Sequence, residues 1–162
     1  MLHLEIYPNK QQLVVFEGTQ ILKEYPIATA KNGLGELAGS EKTPRGWHSI
    51  RAKIGADQPL YTVFKRRRPT GEIYTPELSQ QYPDRDWILT RILWLSGLEQ
   101  GKNRLGAVDT MRRYIYIHGC PDEIELGTTP SSHGCIRMHS SALVELFEWV
   151  EKGTRVWIAD QE

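Results

Sequence analysis

One short segment, residues 117–138, concentrates the reactive side chains of this 162-residue sequence. It holds both cysteines and two of the five histidines, in the runs Ile117-His118-Gly119-Cys120 and Ser131-Ser132-His133-Gly134-Cys135-Ile136-Arg137-Met138. A free thiol has a pKa of about 8.5, so a nucleophilic cysteine needs an imidazole within reach to take its proton. This combination of residue types predicts a cysteine nucleophile assisted by a histidine base.

The residues around Cys135 suggest which reaction such a nucleophile would perform. Gly134 would let a substrate carbonyl approach the main chain closely, where backbone N–H groups can hold the oxyanion of a tetrahedral intermediate. Arg137 offers a planar guanidinium that is suited to a carboxylate. The residues therefore predict acyl transfer on a substrate that carries a free carboxylate.

The elements that must position these residues are mostly strands. Alternation of apolar and polar residues and the placement of turn residues predict strands over residues 2–7, 12–17, 20–29, 47–54, 60–65, 87–95, 114–117 and 154–159. Residues 69–86 and 96–110 are predicted to be long loops, and loops of that length are usually functional.

One principal helix is predicted near the C-terminus. Leu143, Leu146, Phe147 and Val150 have the i, i+3, i+4, i+7 spacing of one helix face. Ser140 or Ser141 is predicted to cap its start, and Gly153 is predicted to follow its end. The fold class is therefore mostly β with one helix packed on the sheet.

The length and composition exclude several classes of protein. The length suits a single domain over residues 1–162, two cysteines exclude a disulfide scaffold, and 20 basic against 20 acidic side chains give no net charge. The basic runs 65–68 and 112–113 are predicted to be solvated faces, with no nucleic-acid partner. No signal peptide or membrane span is apparent, so the expected location is cytoplasmic, or periplasmic if an export signal had been removed.

The runs around His118 and Cys135 resemble the signature of the L,D-transpeptidase catalytic domain (the YkuD domain), in which His-Gly precedes Ser-His-Gly-Cys. The upstream Gly39-Ser40 and Thr43-Pro44-Arg45-Gly46-Trp47-His48 resemble the family's Gly-rich loop and strand entry. The resemblance covers residues 12–158. It implies a β-sandwich with a helix packed against it and activity on peptidoglycan tetrapeptide stems.

The resemblance also implies a role for each matching residue. Cys135 would attack the carbonyl before a terminal D-alanine, and His118 would be its base, oriented by the carbonyl of Gly119. The backbone amides of Gly134 and Cys135 would form the oxyanion hole. No cofactor and no metal is implied.

Three further residues would contact the substrate or shape its pocket: Ser132, His133 and Arg137. Arg137 would hold a substrate carboxylate, although an ordinary ion pair within the protein is the alternative for it. Cys120 stands where the family more often has a small or hydroxyl residue, and packing is its favoured role.

The acceptor of the acyl group and two other function classes stay open. Water would give an L,D-carboxypeptidase for peptidoglycan recycling, which the apparent lack of an export signal favours; an amine would give cross-links or D-amino-acid exchange. His118, Cys120, His133 and Cys135 could instead form a zinc site. A non-catalytic peptidoglycan-binding module is a third possibility.

Overall fold

The fold is built from ten strands and two α-helices, in a computed structural model that describes residues 1–160. In chain order they are β1 (Leu2–Tyr7), β2 (Gln12–Glu17), β3 (Gln20–Pro26), β4 (Gly46–Ile54), β5 (Thr62–Lys65), β6 (Arg68–Ile73), α1 (Pro76–Gln81), β7 (Leu89–Gly97), β8 (Tyr116–Cys120), β9 (Ile136–His139), α2 (Ser140–Trp149) and β10 (Arg155–Ile158). Two 3₁₀ turns, Gly106–Val108 and Met111–Arg113, lie between β7 and β8. The prediction of a mostly-β chain with one main helix is confirmed.

The strands form one curled sheet in the order β3-β2-β1-β10-β4-β7-β5-β6, and β8 pairs with β7 and β9. Most neighbours are antiparallel, but β1 pairs with β10 and β8 with β9 in parallel. A parallel pair needs a long crossover connection, and residues 121–135 make the one from β8 to β9. That connection carries Ser132, His133 and Cys135 to the edge of the sheet.

The main core lies between the sheet and helix α2. The predicted apolar stripe is buried: Leu143, Leu146 and Phe147 lie on α2, and Val150 directly follows its last residue. They pack with apolar residues from β1, β4, β7, β8, β9 and β10. Each such buried side chain contributes about 1.5–3 kcal/mol relative to an exposed one.

The predicted ends of helix α2 were wrong. Ser140 is the first helical residue, and its Oγ accepts a hydrogen bond from Thr90 Oγ1 (2.6 Å), so it does not cap the helix. The backbone turns to an extended conformation already at Val150, whose N–H bonds to the carbonyl of Leu146. Gly153 belongs to the following turn and donates to the Ile50 carbonyl.

Two strand predictions near the site also differ from the structure. The predicted strand over 20–29 ends at Pro26, which has no N–H to continue the ladder. Ala28 and Ala30 instead form bridges to Arg137 and Ser132. Strand β9 was not predicted, because its four residues are too short to show a pattern.

The predicted loop over 69–86 contains strand β6 and helix α1. Thr75 caps α1, since its side chain accepts from the Leu78 N–H (3.0 Å), and Pro76 occupies the first turn. The helix has no buried residue, which is why no apolar stripe marks it in the sequence. Of the helices within residues 1–160, none is long and apolar enough to cross a membrane.

Candidate active site

The site is built on the parallel pair β8–β9. The register places His118 opposite Arg137, and the neighbouring pair Ile117 and Ile136 lies in the main core. Because side chains alternate along a strand, His118 and Arg137 are on the opposite face of the sheet. Cys135 directly precedes β9 and lies on that same face.

Cys135 lies in a largely apolar environment. Its Sγ accepts the Tyr116 N–H (3.3 Å) and is 3.4 Å from the Tyr114 carbonyl oxygen, to which the thiol donates. The side chain packs against the cluster that contains Phe64 and Ile92. Burial raises the pKa of this thiol to about 12. Near neutral pH Cys135 is therefore a thiol, and it needs a base to become a nucleophile.

His118 is oriented to be that base. Its Nδ1 lies 2.8 Å from the carbonyl oxygen of Gly119. A carbonyl only accepts, so Nδ1 carries the proton and Nε2 keeps its lone pair. The ring is only 1% exposed, and burial lowers the pKa of His118. The imidazole is thus neutral near pH 7 and able to take a proton.

Gly119 is required at this position because its Cα approaches another strand closely. A Cβ there would lie 2.5 Å from the Leu89 carbonyl oxygen and 2.9 Å from Ser140 Oγ. We expect Gly119→Ala to lower the free energy of unfolding by about 1–3 kcal/mol, measured by urea denaturation. Gly35→Ala is the matched control, since its Cβ would meet only the flexible side chain of Lys42. Equal stability of the two variants would contradict this account.

A tight turn presents Cys135. Ser132 is buried, and its Oγ accepts the Gly134 N–H (3.1 Å) and donates to the Cys135 carbonyl. Gly134 has a φ of +130°, which favours glycine, and its carbonyl accepts from Thr43 Oγ1 (2.9 Å). Because the Gly134 N–H is engaged by Ser132, the oxyanion hole made by the amides of Gly134 and Cys135 stays a prediction.

The Gly-rich loop, residues 33–46, packs against this turn and holds it. Thr43 Oγ1, besides donating to the turn, accepts the Ala30 N–H (2.9 Å). Arg113 donates from Nη1 to the Gly35 carbonyl at 3.2 Å. The prediction that the run 112–113 is only a solvated face was therefore wrong for Arg113, whose side chain reaches across to this loop. The loop therefore holds the turn that carries Cys135 through the Thr43 side chain, which bonds to the Gly134 carbonyl.

Asp86, which sequence reasoning missed, links the 68–86 segment to the site. Its Oδ1 lies 3.0 Å from Arg137 Nη2, and its Oδ2 lies 3.3 Å from His133 Nδ1. Burial opposes ionisation, but the charges of His118 when protonated, of Arg137 and of His133 hold the pKa of Asp86 below its usual value. No motif marks this aspartate, which ends a segment that was predicted to be a loop.

Arg137 has partners within the protein at the end of its side chain. Besides Asp86, its guanidinium donates from Nη1 to Ser131 Oγ (3.2 Å), and its side chain is 13% exposed. Its predicted contact with a substrate carboxylate stays a prediction, and so does substrate contact by Ser132. His133 is 62% exposed at the side chain and can reach a ligand.

A basic residue from the β5–β6 turn completes the rim of the site. The Arg67 guanidinium lies 4.7 Å from the centroid of the Trp94 ring and 4.9 Å from that of Tyr114. It also donates to the Tyr116 hydroxyl (3.0 Å). The prediction that the run 65–68 is only a solvated face was therefore wrong for Arg67, because the turn folds back over aromatic side chains.

The four residues considered as zinc ligands do not come together as a metal site. Over residues 1–160, no group of three or more His, Cys, Asp or Glu side chains has the arrangement that holds a metal ion. Cys120 is fully buried, and burial raises the pKa of its thiol to about 12. This environment is consistent with the packing role predicted for Cys120.

Comparison with known families decides the assignment of the chain. A model of the YkuD family, described as the L,D-transpeptidase catalytic domain, matches residues 2–158. The chain belongs to the L,D-transpeptidase family. The resemblance inferred from the motifs is confirmed, and the match also includes strand β1, which the resemblance did not cover. No curated protein matches the sequence.

Solved L,D-transpeptidases share the fold. The enzyme from Mycobacterium smegmatis has a TM-score of 0.58 at 17% identity, over 98% of this chain and 58% of that one. A cysteine-to-serine mutant of the Enterococcus faecium enzyme has a TM-score of 0.58 at 18% identity, over 98% and 49%. LdtMt1 in complex with imipenem has a TM-score of 0.59 at 16% identity, over 98% and 58%. This L,D-transpeptidase domain thus spans between 49% and 58% of the length of these proteins.

Proposed function

We propose that this domain cleaves the L,D bond of peptidoglycan tetrapeptide stems through an acyl-enzyme on Cys135, with release of terminal D-alanine. The observation that carries the proposal is the arrangement of Cys135 and His118 on one face of β8–β9, with His118 Nδ1 bonded to Gly119. That hydrogen bond leaves Nε2 as the base. A thiol and an imidazole so arranged are the parts that cysteine acyl transfer needs.

The proposed acylation forms one C–S bond, breaks one C–N bond and passes one proton from Cys135 through His118 to the departing amine. Cys135 Sγ transfers its proton to His118 Nε2 and bonds to the carbonyl carbon, and the π electrons of the carbonyl move to its oxygen. The Cys135 N–H donates to that oxyanion. The intermediate then collapses, the C–N bond breaks, and His118 returns the proton to the amine of the departing D-alanine.

We propose water as the favoured acceptor, which would make the domain an L,D-carboxypeptidase. A cavity of about 320 Å³ lies next to the site and is lined by Arg137 and by residues of the 74–87 and 121–124 segments, but not by Cys135 or His118. It has room for one stem peptide beside the proposed nucleophile, and hydrolysis requires no second one. Cross-linking is the second candidate, because the solved relatives are named L,D-transpeptidases.

Product analysis distinguishes the two acceptors. The protein is incubated with a disaccharide-tetrapeptide, and the products are followed by mass spectrometry. Disaccharide-tripeptide plus free D-alanine is expected for hydrolysis. A dimer joined through two third-position residues would refute hydrolysis and support cross-linking. A cytoplasmic location for this reaction stays a prediction, which fractionation of cells would test.

A further inference from the structure

Asp86 brings a carboxylate from the 68–86 segment to the proposed catalytic pair. One oxygen bonds to Arg137, which is the register partner of His118, and the other bonds to His133, two residues before Cys135. The side chain is 38% exposed, so it lies at the boundary between the site and solvent. Both contacts fix the carboxylate over the face of the sheet where proton transfer would occur.

Proton transfer from the half-buried Cys135 thiol to the buried His118 imidazole separates charge, and the charges formed need to be stabilised. When the Cys135 thiol gives its proton to His118, an imidazolium forms in a site of low dielectric constant, where an uncompensated charge is costly. The charged groups near His118 are Asp86 and Arg137, and Arg137 disfavours the imidazolium. The Gly119 carbonyl, which accepts the Nδ1 proton, favours the imidazolium as well, and of the two charged groups only Asp86 does so.

We propose that Asp86 is a positioning residue, which acts through His118 by stabilising the imidazolium formed when Cys135 loses its proton. The inference rests on the proposed roles of Cys135 and His118. Asp86 is hydrogen-bonded to Arg137, the register partner of His118, and the charges of a protonated His118 and of Arg137 both lower the pKa of the carboxyl. The negative charge formed at sulfur moves on to the substrate oxygen as the bond forms, which leaves the imidazolium as the newly formed charge near Asp86, in addition to Arg137.

The test is an NMR titration of the histidine rings in Asp86→Asn, which needs no substrate. Loss of the carboxylate is expected to move the His118 titration midpoint to lower pH by about one unit. Asp84→Asn is the matched control, because Asp84 is an exposed neighbour in the same segment. A His118 midpoint that is unchanged in Asp86→Asn, or equally moved in Asp84→Asn, overturns the proposal.

Kinetics supply a second readout. We expect Asp86→Asn to lower kcat/KM for D-alanine release about tenfold and to move the acid limb of its pH profile to lower pH, with partial recovery in Asp86→Glu. A fall in rate with an unmoved acid limb overturns the proposal, since it indicates a structural role only. If the wild-type protein releases no D-alanine, the proposed function fails, and the NMR titration still decides the role of Asp86.

Discussion

Cys135→Ala is expected to lower kcat for D-alanine release by at least about 10³-fold, because no other thiol can reach the substrate. The second cysteine, Cys120, is fully buried. Removal of the Cys135 sulfur abolishes the acyl-enzyme but leaves the backbone of the turn in place. The measurement is release of D-alanine from a disaccharide-tetrapeptide, with circular dichroism to confirm that the variant is folded.

The matched control is Cys120→Ala, which removes the same atom from a position outside the proposed chemistry. We expect its kcat to stay within about twofold of wild type, with a modest loss of stability from the small cavity. Full activity in Cys135→Ala, or loss of activity in Cys120→Ala alone, would contradict the assignment of the nucleophile.

His118→Asn is expected to lower kcat/KM by about 10²–10⁴-fold, the usual contribution of a general base. Asparagine keeps an N–H donor near the position of Nδ1 but has no basic nitrogen at the position of Nε2. Since burial raises the pKa of Cys135 to about 12, the residual activity should increase with pH as hydroxide takes over deprotonation of the thiol. The measurement is the pH profile of kcat/KM.

His3→Asn is the control for this substitution, because His3 lies on β1, stacked on Phe16. We expect its profile to match that of wild type. If His118→Asn retained the wild-type rate and pH profile, His118 would not be the base.

Strands and helices in which apolar residues recur at a regular spacing could be predicted from the sequence. The strands β1 and β2 have the predicted bounds, and the predicted apolar stripe is buried, although its last member, Val150, follows the end of α2. Element ends were less predictable, because they depend on single residues and tertiary contacts. Ser140 shows this: it has the residue type of a helix cap, but its hydroxyl bonds to Thr90 on strand β7.

The residues of the candidate site likewise fall into two groups, those that the sequence could identify and those that it could not. His118, Gly119 and Cys135 could be identified because they lie in two short motifs, whose residue types indicate their chemistry. Asp86 and Arg67 could not, because each reaches the site through a long-range contact from a segment without a motif. The hydrogen bond from the Gly134 N–H to the Ser132 hydroxyl could not be predicted from the sequence either, because it depends on the conformation of the turn.

The most direct test of the central claim is the mass of the protein after incubation with imipenem, the compound bound in the structure of LdtMt1. Intact-protein mass spectrometry and peptide mapping would locate any covalent adduct. We expect one adduct on the peptide that contains Cys135, present in Cys120→Ala and absent in Cys135→Ala. An adduct on Cys120 alone, or release of D-alanine by protein that forms no covalent species at Cys135, would contradict the acyl-enzyme account.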